Sequence, residues 1–246
     1  MQGLTITQLK AWQPPPTKWL VENIIRNQGK VVLFGKYGSW KSMLAMDMAY
    51  HIAQGQDWMG YKTSKCGVYI AQTEITQDGY RDRLIDYERH NSVSDNVWIA
   101  TEPYFKIDKS WGQAWLEPEL AKYKPKLVIF DCLYSMFSGH LSDEYDMRQL
   151  TDKFNQLQAK YDFASVIIHH PRKAQFDDGQ EVDAGGEDAF GSMLVNWCDV
   201  ALRIVWTESV STMQVRFDKP SRYSRVLLHP FAVSVDRKAL TFRRQV

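Results

Sequence analysis

Short apolar runs alternate with helix-period segments along the chain as far as His170. The apolar runs are four or five residues long, which is typical of strands buried on both faces of a sheet. These predicted strands are Val31–Phe34, Gly67–Ala71, Val97–Ala100, Leu127–Phe130 and Ser165–Ile168. The predicted helices between them cover residues 41–54, 77–88, 111–123 and 147–161. Strands that alternate with helices predict an α/β fold with a mostly parallel central sheet flanked by helices.

The pattern changes after Pro171. Residues 172–188 have almost no apolar content, and they predict a long mobile loop. The apolar segments that follow are short, partly alternating and separated by turn residues, which indicates antiparallel hairpins. These segments are residues 200–206, 212–218, 225–228, 233–236 and 240–242. The core should therefore continue into an antiparallel β extension.

The N-terminal residues contain the proline run Pro14–Pro16, which favours an extended conformation. We interpret this region as an arm packed on the sheet. The prediction is a single domain over residues 1–246. It comprises an N-terminal arm at 1–30, a βα core at 31–205 and a β-rich C-terminal extension at 206–246.

Composition narrows the class of protein and partner. A hydrophobic content of 44% and a charged content of 24% are ordinary for a soluble globular protein. No apolar run approaches membrane-spanning length, and the N-terminus lacks the regions of a signal peptide. The net charge of +1 gives no general attraction to nucleic acid, so such binding needs a local basic patch. Three widely spaced cysteines favour reduced thiols. We expect a cytoplasmic protein with no membrane partner.

A glycine-bearing loop joins the first strand of the core to the first long helix. It matches the phosphate-binding pattern G-x-x-x-x-G-K-[ST], except that Trp40 replaces the second glycine. Backbone N–H groups at a helix N-terminus hold phosphate oxygens, the lysine adds charge, and the serine hydroxyl ligates Mg²⁺. The candidate nucleotide-binding residues are Gly35, Lys36, Tyr37, Gly38, Ser39, Trp40, Lys41 and Ser42. With Trp40 present, the motif alone leaves nucleotide binding and a chance match open.

Polar residues also follow three other predicted strands, and ligands bind outside the carboxyl ends of parallel strands. Asp131 follows four apolar residues, which is typical of an aspartate that orders Mg²⁺ in nucleotide hydrolases; a turn-initiating aspartate is the alternative. Cys132 follows it, so no adjacent glutamate can polarise water. Glu74, after the second strand, is the candidate base. A helix N-terminal carboxylate is the alternative interpretation of Glu74.

The pair His169 and His170 follows the fifth strand. Zinc binding by this pair would need further ligands at typical zinc-site spacing, but Cys198 and His229 are isolated in sequence. A Ser/His/Asp hydrolase would need a G-x-S-x-G nucleophile elbow, which the sequence lacks. A histidine that senses the γ-phosphate agrees better with the convergence of polar residues at one sheet edge, and a structural role is the common alternative.

Together these motifs resemble the RecA-fold ATPases, specifically the RepA-like hexameric replicative helicases and related phage and plasmid AAA-family proteins. The likeness extends from about Trp19 to Leu202. The motifs that carry it are Gly35–Ser42, Tyr69–Glu74, Leu127–Asp131, Val166–Lys173, and Gly191-Ser192 with the segment from Asp199. The resemblance implies ATP and Mg²⁺ as ligands. Lys41 and Ser42 would bind phosphate and Mg²⁺, Asp131 would be the second Mg²⁺ residue, Glu74 the catalytic base and His170 the γ-phosphate sensor.

The resemblance further implies a nucleotide site between subunits, with a basic finger supplied by the neighbour. Lys219, Arg222 and Arg225 are the candidates, and exposed charges on a hairpin turn are the alternative. The loop that should face DNA is mostly acidic, which argues against tight DNA binding because phosphate neutralisation dominates affinity. Arg172 and Lys173 are the basic pair close to it and the candidate DNA-facing residues.

These features predict a Mg²⁺-dependent ATPase that forms a homo-oligomeric ring, as a hexamer, or a filament and acts on single-stranded DNA. A replicative DNA helicase of RepA type is the leading interpretation. One alternative is a recombination ATPase that binds or anneals single strands as a filament. Another is a non-catalytic nucleotide-binding module for a protein partner, in which Trp40 has ended hydrolysis.

Overall fold

The computed structural model describes residues 3–13, 18–170, 175–177, 180–182, 192–207 and 211–245. The described helices are α1 (Ile6–Ala11), α2 (Lys41–Gln54), α3 (Gln77–Glu88), α4 (Ser110–Tyr123), α5 (Leu133–Met136), α6 (Glu144–Tyr161) and α7 (Ser192–Trp197). The first strands are β1 (Trp19–Val21), β2 (Ile25–Arg26), β3 (Lys30–Gly35), β4 (Val68–Gln72), β5 (Val97–Thr101), β6 (Leu127–Asp131) and β7 (Ala164–His169). The later strands are β8 (Gln175–Asp177), β9 (Gln180–Val182), β10 (Val200–Trp206), β11 (Thr212–Lys219), β12 (Phe231–Asp236) and β13 (Thr241–Arg244).

The central sheet of the described chain has the strand order β13-β12-β11-β10-β3-β7-β6-β4-β5. The strands from β10 to β5 in this order pair in parallel. Strands β11, β12 and β13 extend the sheet in antiparallel pairing. This confirms the predicted mostly parallel sheet and its antiparallel C-terminal extension. The edge at which the parallel strands end is called the carboxyl edge below.

The hydrophobic core has two layers, one on each face of the sheet. Along β3, Val31 and Leu33 contribute to the layer that contains helix α2. Val32 and Phe34 contribute to the opposite layer, which contains α6. Successive strand side chains point to opposite faces, and both faces of a parallel sheet are covered by helices. The continuous apolar runs in the sequence follow from this double burial.

Helix α2 connects the phosphate loop to the core. From Met43 to Ala53 its side chains are all buried except that of His51, so this helix is enclosed around most of its circumference. The helix ends at Gly55, which adopts the left-handed conformation with φ of 75°. Glycine takes this conformation without steric cost. The phosphate loop therefore sits on a rigid, fully packed element.

Three details of the predicted secondary structure were wrong. Residues 225–228 form no strand, because Val226 and Leu227 are exposed and pair with no neighbouring strand of the described chain. The predicted loop 172–188 contains the hairpin β8–β9. The N-terminal arm contains helix α1, which the Thr5 and Gln8 side chains cap reciprocally, and the hairpin β1–β2. The proline run itself lies outside the described residues.

Strand β10 continues the parallel sheet as far as Trp206. The predicted boundary between residues 205 and 206 therefore falls inside a strand, and β11 pairs directly with β10. Among the described helices, none is long and apolar enough to cross a membrane.

Candidate nucleotide-binding site

The loop Gly35–Trp40 lies between β3 and α2 at the carboxyl edge. The Lys41 ammonium donates hydrogen bonds to the carbonyl oxygens of Gly35 (2.8 Å) and Lys36 (2.7 Å). It also donates to Ser39 Oγ at 3.2 Å. Burial lowers the pKa of Lys41 to about 8, although the carboxylates of Asp131 and Glu74 oppose this shift. The loop thus curls around a lysine that is largely charged at neutral pH. When a phosphate group binds, its oxygens would replace these loop oxygens as acceptors of the Lys41 hydrogen bonds.

Two residues of the loop show why glycine is normally required in this motif. A Cβ atom on Gly35 would lie 2.5 Å from the carbonyl oxygen of Ile204, so this position admits no side chain. Trp40 has φ of 64° and ψ of 20°, in the left-handed region. This conformation costs a residue with a Cβ about 1–2 kcal/mol, which explains the glycine at this position in the general motif.

The indole of Trp40 is half-buried and packs against the core layer around α2. Its ring meets that of Phe242 on β13 edge to face, with centroids 6.2 Å apart. Such pairs contribute about 0.5–1.5 kcal/mol beyond the area they bury. The side chain therefore compensates for the strained backbone and ties the phosphate loop to the last strand.

Asp131, at the end of β6, lies opposite the start of α2. The Ser42 hydroxyl hydrogen-bonds to its carboxylate, and burial raises the pKa of Asp131 to about 6. Its Oδ1 atom is buried and has no hydrogen-bond partner among the described residues. A buried carboxylate oxygen beside a serine hydroxyl offers the hard oxygen ligands that Mg²⁺ prefers. Ser42 and Asp131 therefore suit the predicted Mg²⁺ site.

Glu74 follows β4 and contacts residues from two other strand ends. Its Oε1 atom accepts a hydrogen bond from Cys132 Sγ at 3.0 Å and lies 3.3 Å from His170 Nε2. The His170 hydrogen bond is the largest influence that lowers the pKa of Glu74. Burial and the Glu74 carboxylate raise the pKa of the Cys132 thiol to about 12, so this thiol is protonated at neutral pH. The structure thus brings together the predicted base and the predicted sensor.

The two histidines of the pair have different environments. His169 is buried at the end of β7, and burial lowers its pKa to about 4, so its ring is neutral at pH 7. His170 is the partly exposed member that reaches Glu74, with its ring 6.0 Å from that of Tyr37 in the phosphate loop. The second histidine is the one that the resemblance assigns to the phosphate.

Sequence reasoning missed Gln72 and the role of Cys132. The Gln72 side-chain oxygen accepts hydrogen bonds from the backbone N–H groups of Glu74 (3.1 Å) and Ile75 (3.0 Å). Its amide nitrogen donates to Thr101 Oγ1 at 2.8 Å. This buried amide fixes the turn that carries the candidate base. The signal in the sequence was a polar residue at the end of an apolar run.

Two of the three candidate finger residues, Lys219 and Arg222, lie at the opposite edge of the sheet from the phosphate loop. Strand β11 is antiparallel to β10, so Lys219 pairs with Ala201, which itself pairs with Val32 near the start of β3. The Lys219 ammonium donates to the carbonyl oxygens of Val195 and Cys198 at the end of α7. The Lys219 charge is therefore engaged within its own chain, and its role as a finger stays a prediction. Arg222 and Arg225 are exposed. The predicted DNA-facing residues Arg172 and Lys173 lie outside the described residues.

A comparison with protein families matches residues 1–175 to the family described as AAA domain. The chain belongs to this family. No curated protein matches it. Among solved structures, it is similar to one described as an ATPase domain, with a TM-score of 0.64 and 13% identity over 89% of this chain and 85% of that one. The flagellar accessory protein FlaH from Methanocaldococcus jannaschii gives a TM-score of 0.62 and 11% identity, over 89% and 90% of the two chains.

A third similar structure is the KaiC-like protein PH0186 from Pyrococcus horikoshii OT3. Its TM-score is 0.61 at 13% identity, and the match covers 92% of this chain and 94% of that one. At these identities the similarity shows the fold. The family match and the strand order confirm the predicted RecA-like ATPase fold, with antiparallel strands added at its C-terminal side.

Proposed function

We propose that the protein hydrolyses ATP with Mg²⁺. The observation that carries this proposal is the meeting of five polar side chains at the carboxyl edge. Lys41 and Ser42 begin α2, Asp131 ends β6, and the Glu74–His170 pair joins the ends of β4 and β7. The strands β3, β7, β6 and β4 are consecutive in the sheet, so these side chains surround one space. Their chemistry is that of phosphoryl transfer to water.

Each residue then has a distinct task. The backbone N–H groups of the phosphate loop and the Lys41 ammonium hold the β- and γ-phosphate oxygens, which are the atoms that gain charge. Ser42 and Asp131 would hold Mg²⁺, which supplies neutralising charge on these oxygens when it is bound. The lowered pKa of Glu74 keeps it a carboxylate at neutral pH, so it accepts a proton from the attacking water. His170 contacts Glu74 and lies near Tyr37 of the phosphate loop. From this position it can donate a hydrogen bond to the γ-phosphate.

We further propose that the ATPase is an oligomeric motor on single-stranded DNA, and a replicative helicase in particular. The exposed Arg222 supports assembly, because it lies near Lys30 at the start of β3, away from its own phosphate loop, and would serve a neighbouring subunit. Arg225 is exposed on the same segment. One of the similar solved structures is titled a DnaB-like replicative helicase; it is 14% identical, and the match covers 59% of that chain. We propose that this motor works in the cytoplasm.

A non-hydrolysing nucleotide-binding module is the second candidate, and Trp40 favours it. The indole stands at the position of the loop glycine, and the Lys41 ammonium is enclosed by loop oxygens. In that case the protein would bind ATP to control a partner without turnover, and Glu74 would have no chemical task.

The test is ATP turnover by the full chain, with and without single-stranded DNA, for wild type and Glu74→Gln. The amide cannot accept the proton of the attacking water, so we expect a loss of about 10²-fold or more in kcat with ATP affinity retained. Glu88→Gln, at an exposed position at the end of α3, is the matched control and should turn over normally. Equal rates in wild type and Glu74→Gln would contradict the catalytic assignment.

A further inference from the structure

Three potential metal ligands of different chemistry meet at the carboxyl edge. Glu74, Cys132 and His170 each present one ligand atom, and these atoms all lie within 4.8 Å of one another. They come from the ends of β4, β6 and β7, which are neighbours in the sheet. Cys132 is the central member, because β6 lies between the other two strands. The cluster was not visible in the sequence, since its members are far apart along the chain.

The donor set is one sulfur, one imidazole nitrogen and one carboxylate oxygen. Zn²⁺ accepts all three atom types, and sites with three protein ligands plus water are common for this ion. Mg²⁺ demands oxygen ligands and is not expected to bind a thiolate. The cluster therefore favours Zn²⁺-like cations, whereas the neighbouring oxygens of Ser42 and Asp131 favour Mg²⁺.

Two of the three spacings suit a tetrahedral ion, and the third, between Cys132 Sγ and the His170 nitrogen, is no more than 4.8 Å. With bonds of about 2.3 Å to sulfur and about 2.0 Å to oxygen, two ligands at a tetrahedral angle lie about 3.5 Å apart. The distance from Cys132 Sγ to Glu74 Oε1 is 3.0 Å, and that from Glu74 Oε1 to His170 Nε2 is 3.3 Å. Small side-chain rotations would therefore admit the ion.

Access is from the solvent side. The side chains of Glu74 and His170 are 39% and 26% exposed, while Cys132 is buried beneath them. An ion would meet the carboxylate and the imidazole first and the sulfur last. His170 Nδ1 has no hydrogen-bond partner among the described residues. A ligand histidine is normally fixed through its second nitrogen, so binding here should be weaker than at a structural zinc site.

We propose that Glu74, Cys132 and His170 form a binding site for a thiophilic divalent cation of the Zn²⁺ class. The ion replaces the hydrogen bond between the thiol and Glu74, the thiol proton is released to solvent, and a water completes the tetrahedron. The two anionic ligands neutralise the charge of the ion. Binding itself does not depend on the ATPase activity.

The consequence for activity does rest on the proposed function. Glu74 Oε1 would be a metal ligand, and a coordinated carboxylate oxygen cannot accept a proton from the attacking water. Zn²⁺ at this site would therefore inhibit hydrolysis even with Mg²⁺–ATP in excess. The cluster would therefore be an inhibitory metal site, through which a thiophilic cation lowers the ATPase activity.

Binding is tested on the nucleotide-free full chain with Co²⁺ as a spectroscopic substitute for Zn²⁺. We expect one equivalent to give a thiolate-to-cobalt charge-transfer band and the intense visible bands of a tetrahedral ion, both of which added Zn²⁺ removes. Cys132→Ser should lose the charge-transfer band. Cys66→Ser, which changes the half-buried thiol outside the cluster, should keep it. Absence of the band in wild type, or its persistence in folded Cys132→Ser, would overturn the site.

A second variant guards against misfolding of Cys132→Ser. His170→Asn leaves the buried thiol untouched and should weaken Co²⁺ affinity by about 100-fold, because even the groups behind a ligand contribute 10–100-fold. Unchanged affinity in a variant with a wild-type circular dichroism spectrum would exclude His170 as a ligand and refute the three-residue site.

Inhibition is measured separately, as ATP turnover with rising Zn²⁺ and then a zinc-selective chelator. We expect inhibition that the chelator reverses and that needs about 100-fold more Zn²⁺ in Cys132→Ser than in Cys66→Ser. Identical inhibition of both variants would refute the claim that Zn²⁺ inhibits turnover by binding at this cluster. If wild type shows no turnover at all, the proposed function fails, while the cobalt spectrum still decides the metal site.

Discussion

Trp40 is an unusual residue at a conformation that favours glycine. Its left-handed backbone costs about 1–2 kcal/mol, and its contact with Phe242 recovers a comparable amount. The indole packs against the core layer around α2 and against Phe242 of β13. The side chain thus serves the packing of the loop, and we expect the phosphate-binding backbone to be independent of it.

Replacement of Trp40 by glycine tests this separation. Trp40→Gly removes the strain, so nucleotide affinity should be equal or higher, measured by calorimetric titration with a non-hydrolysable ATP analogue. Phe242→Leu is the control, because it removes the ring contact and keeps the Trp40 backbone. It should lower the unfolding temperature and leave affinity unchanged. A collapse of binding in Trp40→Gly would show that the indole itself shapes the site.

Asp131 is held as a buried, partly unpaired carboxylate. Burial raises its pKa from the ordinary 3.8 to about 6, so the folded protein binds more protons than the unfolded chain between these pH values. Stability from this group is therefore highest at low pH and is lost as pH rises through 6. At 1.36 kcal/mol for each pKa unit, the penalty at pH 7 is about 3 kcal/mol.

Asp131→Asn should consequently stabilise the ligand-free protein at pH 7, by at most about 3 kcal/mol, while abolishing Mg²⁺-dependent turnover. Urea unfolding gives the free energy at a series of pH values. The gain over wild type should shrink as pH falls from 7 towards 4, since both side chains are then neutral. Asp152→Asn, at an exposed position on α6, should show no such trend. A gain that is independent of pH would refute the assignment.

At the scale of elements, Asp47 joins α2 to its surroundings. Its buried carboxylate accepts hydrogen bonds from Trp58 Nε1 (3.1 Å) and from the Tyr87 hydroxyl of α3 (2.9 Å). Burial raises the pKa of Asp47, and the hydrogen bonds oppose this shift. The network holds the helix that carries Lys41 and Ser42 against α3, so it supports the site without touching the nucleotide.

Tyr87→Phe should therefore affect stability and spare ATP binding. Loss of one hydrogen bond to a buried carboxylate costs about 1–3 kcal/mol, which thermal unfolding would detect. Tyr145→Phe is the control, because Tyr145 is 70% exposed and should have no effect. A fall in nucleotide affinity without a fall in stability would place Tyr87 in the binding machinery instead.

Element positions were predictable where packing enforces a period. Helix α3 spans Gln77–Glu88 as predicted, since Tyr80 and Tyr87 bury one stripe and Thr76 caps its start. The strand predicted at 225–228 failed because apolar residues form a strand only when a neighbouring strand accepts their backbone hydrogen bonds. The hairpin β1–β2 was missed because strands of two or three residues are too short to show a period.

At the scale of the molecule, the order of strands determines which strand ends are neighbours, and the sequence could not show that order. Alternating elements predicted a parallel sheet and a shared edge for Lys41, Glu74, Asp131 and His170. They did not give the order β7-β6-β4, which places Cys132 between Glu74 and His170. Contacts between residues 58 and 96 positions apart depend on that order. The cluster therefore required the structure.

The order of strands also bears on assembly. Strand β11 runs away from the carboxyl edge, and Arg222 follows it close to Lys30 at the start of β3, on the far side of the sheet from its own phosphate loop. Arg225 lies on the exposed segment that leads back to β12. If either is the finger, it acts on the nucleotide of a neighbour. Substitution of that arginine by alanine should lower kcat by on the order of 10³-fold, with ATP affinity and fold retained.

Mixing of two inactive proteins distinguishes action between subunits from action within one. The Arg222→Ala or Arg225→Ala variant keeps an intact Glu74 but lacks the finger. The Glu74→Gln variant keeps the finger but lacks the catalytic base. Co-assembled with ATP and Mg²⁺, the mixture should regain part of the wild-type turnover, because some intact sites then face an intact arginine. Lys219→Ala is the control; it disrupts the contact with α7 and should lower stability instead. No recovery in mixtures that mass measurement shows to be mixed oligomers would rule out both arginines as fingers that act between subunits.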